Sequence, residues 1–323
     1  VSHFMLTIAA ALFLVSATRR AEELGSAYLA LISTLTPKYL KQLANERRNE
    51  FRTGDPFPHL VLDGLFPPAL LRMVGREHPE AVAADGCSVG VNACFKGGKR
   101  AAKNVQHLKG VVDSEELMGP ATRLLFGFLK SSVWVSFLED LTDTNGLLPD
   151  PHYRGSGLHL TSHGGRLQIH ADFNRYEKYD LRRRVNTFVF LNDEWPDEYG
   201  GHLELWNREL TQCKQRVLPL LGRFVVFATT DFSYHGHPQP LPAPPHRVRR
   251  SIALYYFTNG CPSEQCLNHD CTTSHSTLWK EGKCQKCEYG NACAAFPLSS
   301  NGHHRNLSGS LHHNALALHT KQR

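Results

Sequence analysis

From Gly155 onward the chain changes period. Before that point apolar residues recur at helical spacing. Beyond it come short runs of alternating, β-branched or aromatic content, at 158–160, 166–171, 185–191, 202–206, 223–228 and 249–257, with Gly, Pro and Asp between them. Short strands at this spacing predict an antiparallel sandwich or jelly roll. Helical sequence precedes the strands, which makes the whole α+β.

The helical half reads as follows. Residues 22–51 predict a helix with Leu24, Tyr28, Leu31 and Leu35 on one face, broken at Pro37, with a charged and solvated second stretch over 38–51. A short strand follows Pro56 and Pro58, and Pro67–Pro68 opens a helix to about His78. Residues 87–110 are Gly- and Lys-rich without period and predict a loop, whose cations could line a substrate entrance. Ser114 is placed to cap a further helical region that breaks near Ser131 and buttresses the sheet.

Hydrophobic content of 41% over 323 residues supports a sizeable core, and the net charge of +6 is modest. Its surplus comes from short clusters such as Arg47–Arg48, Arg182–Arg183–Arg184 and Arg247–Arg250, not from a basic patch interleaved with aromatics, so a nucleic-acid partner is not expected. Six of the nine cysteines (Cys261, Cys266, Cys271, Cys284, Cys287 and Cys293) crowd together near the C-terminus, as in a disulfide framework or a zinc site. The apolar run at 4–17, followed by Arg19–Arg20, fits a signal-peptide core, with a membrane anchor or a packed helix as alternatives. With the sequon Asn306–Leu307–Ser308 it favours disulfides and a secretory or endomembrane location over a cytoplasmic one.

Within the strand-rich half, His170–Ala171–Asp172 puts an imidazole and a carboxylate on one face of a strand. Two His and one carboxylate on one face of a metal define the non-haem Fe(II) site, with other positions open to substrate and O2. A lone His-x-Asp carries little weight, since chance supplies about one in a chain with this many His and Asp. His235 and His237 both offer the missing imidazole. His235 is preferred because Gly236 and Pro238 argue against a strand continuing to His237. Further on, Arg249 and Ser251 share a strand face, where a guanidinium and a hydroxyl can cradle a carboxylate.

These features occur in one order: His170–Ala171–Asp172, the run 185–192, Trp195, Gly200–Gly201, His235–Gly236 and Arg249-x-Ser251. That order resembles the Fe(II)/2-oxoglutarate-dependent dioxygenases of the prolyl 4-hydroxylase class, over about residues 56–260. The resemblance implies a double-stranded β-helix, or jelly roll, with Fe(2+) held by His170, Asp172 and His235. It further implies that Arg249 binds the far carboxylate of 2-oxoglutarate and that L-ascorbate keeps the iron reduced. O2 would be consumed as 2-oxoglutarate is decarboxylated to succinate and CO2 and a C–H bond is hydroxylated, with prolyl residues of a protein or peptide as the expected substrate. Two departures stand out. Phe190 replaces a Tyr that helps hold 2-oxoglutarate in several relatives, and the segment between His235 and Arg249 is long and Pro-rich, which leaves Arg249 or Arg250 as the carboxylate partner.

The expected organisation is a signal- or anchor-like segment with helices (1–54), the dioxygenase domain (55–260), a Cys-rich extension (261–296) and a disordered tail (297–323). The rivals are a non-catalytic jelly roll that binds metal or 2-oxoglutarate, a hydroxylase of a free amino acid or other small molecule, and a zinc hydrolase. The last would need a general base beside the metal, and no Glu is spaced for it.

Overall fold

Among the described residues, five helices lie against one curled antiparallel sheet. The structure is a computed structural model and describes residues 2–82, 88–89, 106–260 and 275–279; the side chains of 2–14, 82, 88 and 89 are outside that description. The side chains of most of the apolar run at 4–17, whose backbone is helical, fall outside it, as do the six C-terminal cysteines, the 297–323 tail and most of the 87–105 segment. Among the described residues no helix is long and apolar enough to cross a membrane.

Helix α1 (Ser2–Thr34) ends three residues before Pro37, and α2 (Pro37–Arg52) starts with that proline in its first turn, where the missing N–H costs nothing. Thr36 accepts from the Tyr39 amide as its cap. α2 is not solvated all round, as its charge density predicts. Leu40, Ala44 and Phe51 are buried on one face, and Arg48 Nε donates to Asp140 O at 2.6 Å. α3 is Pro68–Glu77, α4 Pro120–Leu129 and α5 Ser132–Thr142, with Ser131 capping α5. Ser114 instead leads a short 3-10 turn and makes no capping bond. The N-terminus of α4 is satisfied by the Glu77 carboxylate, which accepts from Ala121 N at 2.9 Å and Thr122 N at 2.8 Å.

The strands are β1 (His59–Leu62), β4 (Gln106–Val112), β6 (Gly157–Ala171), β8 (Leu181–Phe190), β9 (Leu203–Trp206), β10 (Cys213–Val217), β11 (Phe224–Ala228), β12 (His235–His237) and β13 (Arg249–Asn259). Short strands β2 (Ala81–Val82), β3 (Ser88–Val89), β5 (Leu148–Pro149), β7 (Arg175–Tyr176) and β14 (Leu278–Trp279) complete the set. The sheet runs β1-β11-β8-β13-β6-β12-β9-β10, every pair antiparallel, and its curl is the double-stranded β-helix expected from the sequence. Three local expectations are corrected. Residues 106–110 belong to a strand, not a loop. The runs at 158–160 and 166–171 are one strand. β10 was not foreseen.

The helices pack their apolar faces on the outer side of β8, β11 and β13. Trp134 and Tyr256 are fully buried there, joined by the Trp134 indole N–H to the Tyr256 hydroxyl at 3.0 Å, and that hydroxyl donates to Leu129 O. With that face closed by helices, the other face of the curled sheet is left to hold the polar side chains.

Candidate metal and cosubstrate site

β6 is long enough to serve two ladders. Its first half pairs with β13 and its second half with β12, so residues of both neighbours meet over one inner face. His235 lies directly opposite His170, and directly opposed residues of antiparallel strands point to the same side. Asp172 follows just beyond the end of β6. His170 Nε2 is 3.6 Å from Asp172 Oδ1, and His235 Nε2 is 3.4 Å from Asp172 Oδ2. The two rings are 4.5 Å apart, and one ligand atom from each of the three residues lies within 4.8 Å of the others.

Both imidazoles are oriented alike. Nδ1 of His170 bonds the carbonyl of Gln168 at 2.8 Å, and Nδ1 of His235 that of Ser233 at 2.9 Å. Donation from Nδ1–H leaves the lone pair on Nε2, the nitrogen that faces Asp172. Burial, followed by the neighbouring His170, lowers His235 to about 4, so it is neutral at pH 7. Burial alone would raise the Asp172 carboxyl, but Arg183 and the two imidazoles outweigh it and hold Asp172 well below the usual carboxylate range. One carboxylate and two imidazoles, each with its Nε2 turned toward Asp172, are the donor set that fits a ferrous ion on three positions.

Two groups that sequence reasoning did not single out hold Asp172. Arg183 Nη2 donates to Oδ2 at 2.9 Å and Asn186 Nδ2 to the same oxygen at 2.6 Å, which leaves Oδ1 free of these donors. Arg183 also donates from Nε to Asn186 Oδ1 at 2.7 Å and stacks over the Tyr255 ring at 3.3 Å. The signal in the sequence was its place in the Arg182–Arg183–Arg184 cluster, next to a strand whose alternation turns one arginine inward. A second omission is the segment 275–279 of the Cys-rich extension. β14 pairs with the end of β6, and the Trp279 ring lies 4.7 Å from that of His170.

Arg249 and Ser251 share the inner face of β13, as alternation requires. Arg249 is buried, its Nε donates to Gly201 O at 2.6 Å, and burial lowers its guanidinium to about 9. Among the described residues no carboxylate pairs with it. Arg250 faces the other way, into a pocket with His78, Asn192 and Arg247, so of the two candidates Arg249 is on the metal side. His237, expected to lie past the end of a strand, is in β12. A bulge in β6 at residues 168–169, opposite Gly236, accommodates it, and both its ring nitrogens are buried without a partner among the described residues.

A jelly roll with two imidazoles and a carboxylate together on its inner face, and a buried arginine on that face, has the donor set and the cation of an oxygenase that uses iron and a keto-diacid. Residues 156–257 match the family model of the 2OG-Fe(II) oxygenase superfamily. No curated protein matches the chain. Among solved structures it is similar to a prolyl hydroxylase from Trichoplax adhaerens in complex with a peptide fragment of the hypoxia inducible factor oxygen degradation domain (16% identity, 68% of this chain and 91% of that chain, TM-score 0.41). It is also similar to a prolyl-4-hydroxylase from Pseudomonas putida (16%, 68% and 100%, TM-score 0.42). A third is HygX from Streptomyces hygroscopicus with nickel and 2-oxoglutarate bound (12%, 73% and 96%, TM-score 0.41).

Proposed function

We propose that this chain is a 2-oxoglutarate-dependent dioxygenase of the prolyl 4-hydroxylase class, and that it hydroxylates prolyl residues in a protein or peptide. The observation that carries the oxygenase reading is the meeting of His170, Asp172 and His235 on one face beside Arg249. The choice of prolyl residues is supported by the ordered motifs of the sequence.

In this reading His170 and His235 offer Nε2 and Asp172 a carboxylate oxygen to Fe(2+). When bound, the iron supplies the O2 chemistry that couples conversion of 2-oxoglutarate to succinate and CO2 with hydroxylation of a C–H bond, and ascorbate keeps it reduced. The protein's own part is positioning. Gln168 O and Ser233 O fix the imidazole tautomers, and Arg183 and Asn186 hold Asp172 ionised and correctly turned. Arg249 anchors the far carboxylate of 2-oxoglutarate, and Ser251 offers its hydroxyl on the same face. Trp279 and the segment 275–279 stand at the rim, where a peptide would pass.

The test is succinate formation by the purified chain with Fe(2+), ascorbate and a library of proline-containing peptides, together with a search for a product heavier by one oxygen. Succinate that rises with a peptide bearing a hydroxylated proline is the expected result. No peptide-stimulated succinate would remove the prolyl reading, and no 2-oxoglutarate binding at all would remove the oxygenase reading.

A further inference from the structure

The inner face carries a second cation. Lys109 on β4 and Arg249 on β13 are both in register with the same residue, Thr161 of β6, one on each side. Directly opposed residues share a face, so the ammonium, the Thr161 hydroxyl and the guanidinium form one row across three strands. The next row repeats the pattern with Val111, His159 and Ser251. With neighbouring strands about 4.8 Å apart, the Cα atoms of Lys109 and Arg249 are about 10 Å apart, close enough for both heads to meet one small anion.

Arg249 is buried and Lys109 half-buried. Burial, then the nearby Arg249, lowers the Lys109 ammonium to about 8, and burial alone lowers Arg249. Among the described residues neither has a carboxylate partner. Asp172 acts on Lys109 from a distance, but its salt bridge is with Arg183. Two neighbouring cations, one buried and one half-buried, with no anion between them repel, and removing each from water is unfavourable. Such a pair persists where a ligand supplies the missing negative charge. His237 adds a third sign of an absent ligand. Buried in the fields of Arg249, Lys109 and His170, it has no bond to either ring nitrogen.

We propose that Lys109 is the second cation of the 2-oxoglutarate slot, and that with Arg249 it holds the terminal carboxylate farther from the metal. A carboxylate has two oxygens. Arg249 takes one edge through its planar fork, while the Lys109 ammonium approaches as a point charge from the other side. Phe190 lies where the resemblance places a tyrosine hydroxyl and has no donor to offer. Lys109 supplies the donor that Phe190 lacks. The inference rests on the reading of the chain as a 2-oxoglutarate enzyme, and it concerns a positioning residue.

The experiment is calorimetric titration of the full chain loaded with Mn(II), without O2. Two keto acids are compared: 2-oxoglutarate and 2-oxopentanoate, which has the same chain length but a methyl in place of the far carboxylate. In Lys109→Met the affinity for 2-oxoglutarate should fall at least about tenfold. Affinity for 2-oxopentanoate and for Mn(II) should stay within twofold, and Lys109→Arg should recover most of the loss. Lys109→Gln, which keeps length and polarity, should show the same pattern if the Met variant folds poorly. The inference is overturned if 2-oxoglutarate binds the variants as it binds the parent chain, or if both acids lose affinity by the same factor. A parent chain that does not prefer 2-oxoglutarate over 2-oxopentanoate would overturn both this and the reading on which it rests.

Discussion

Asp172 does two things at once, and the second was hidden in the sequence. As one of the three metal-side groups, its replacement by Ala is expected from the sequence to stop turnover and weaken iron binding while sparing the fold. The structure changes the last part, because Asp172 is the carboxylate partner of Arg183, whose side chain is 0% exposed. Breaking a buried pair by removing one member leaves an uncompensated charge, at a cost of roughly 3–5 kcal/mol. Asp172→Ala should therefore lower the urea midpoint of the metal-free chain, and adding Arg183→Met should restore much of it. Equal midpoints for Asp172→Ala and the parent would show that Arg183 does not depend on this partner. The three metal-side residues were legible because a strand's period of two brings His170 and Asp172 together, and the missing imidazole had few candidates. Arg183 was not legible. In a row of three arginines only the local register decides which turns inward, and the register slips between Arg183 and Val185 opposite β13.

At the scale of single elements, glycines decide how the strands cross. β6 reads in sequence as two strands separated by Gly164–Gly165. In the fold it runs through them, because Gly164 takes a φ of +74° that side chains rarely adopt. At Gly165 a Cβ would come within 2.7 Å of Ser162 O and 2.9 Å of Leu108 O. β12 was missed for a related reason. Gly236 and Pro238 are poor strand formers, yet Gly236, lacking a Cβ, lets its backbone sit against the bulge of β6 at residues 168–169. A Cβ there would meet Gln168 O at 2.8 Å and Leu167 O at 2.9 Å, both backbone atoms with little freedom to yield. Gly236→Ala should push β12 away from β6 and shift His235 relative to His170. The expected outcome is a loss of about 1–3 kcal/mol of stability by the overpacking cost, with weaker Mn(II) binding measured by titration. If Mn(II) affinity and stability are both unchanged, the bulge does not position His235. β4 escaped detection because its Gly and Lys content argues for a loop, and only pairing with β6 makes it a strand.

For the molecule as a whole, the jelly roll was legible from turn-separated short strands, whereas the helices' contribution was underestimated where charge masked a buried face, as in α2. Buried histidines on both faces of the sheet set the acid response. His78, packed between α3 and β13, is lowered to about 4 chiefly by burial, and His235 falls to about the same value. Burial also takes His159 and His237 well below their ordinary range. Each of these groups is near 6.5 when unfolded, so between about pH 6.5 and 4 the unfolded chain binds protons that the native chain refuses, and stability must rise with pH across that window. Above pH 6.5 the effect is complete and the slope disappears. A fall from 6.5 to about 4 is worth about 3 kcal/mol for one fully buried histidine at the 1.36 kcal/mol per unit of linkage. His78 and His235 alone then approach the 5–15 kcal/mol that holds a typical domain together. Urea unfolding of the metal-free chain at pH 7.5, 6 and 5 should show most of the stability gone by pH 5. His78→Gln, which lies apart from the three metal-side residues, should remove about one proton from the slope while leaving Mn(II) binding intact. A midpoint that does not move between pH 7.5 and 5 would mean these imidazoles are solvated in the native state, those on the inner face as well as His78 on the helix side.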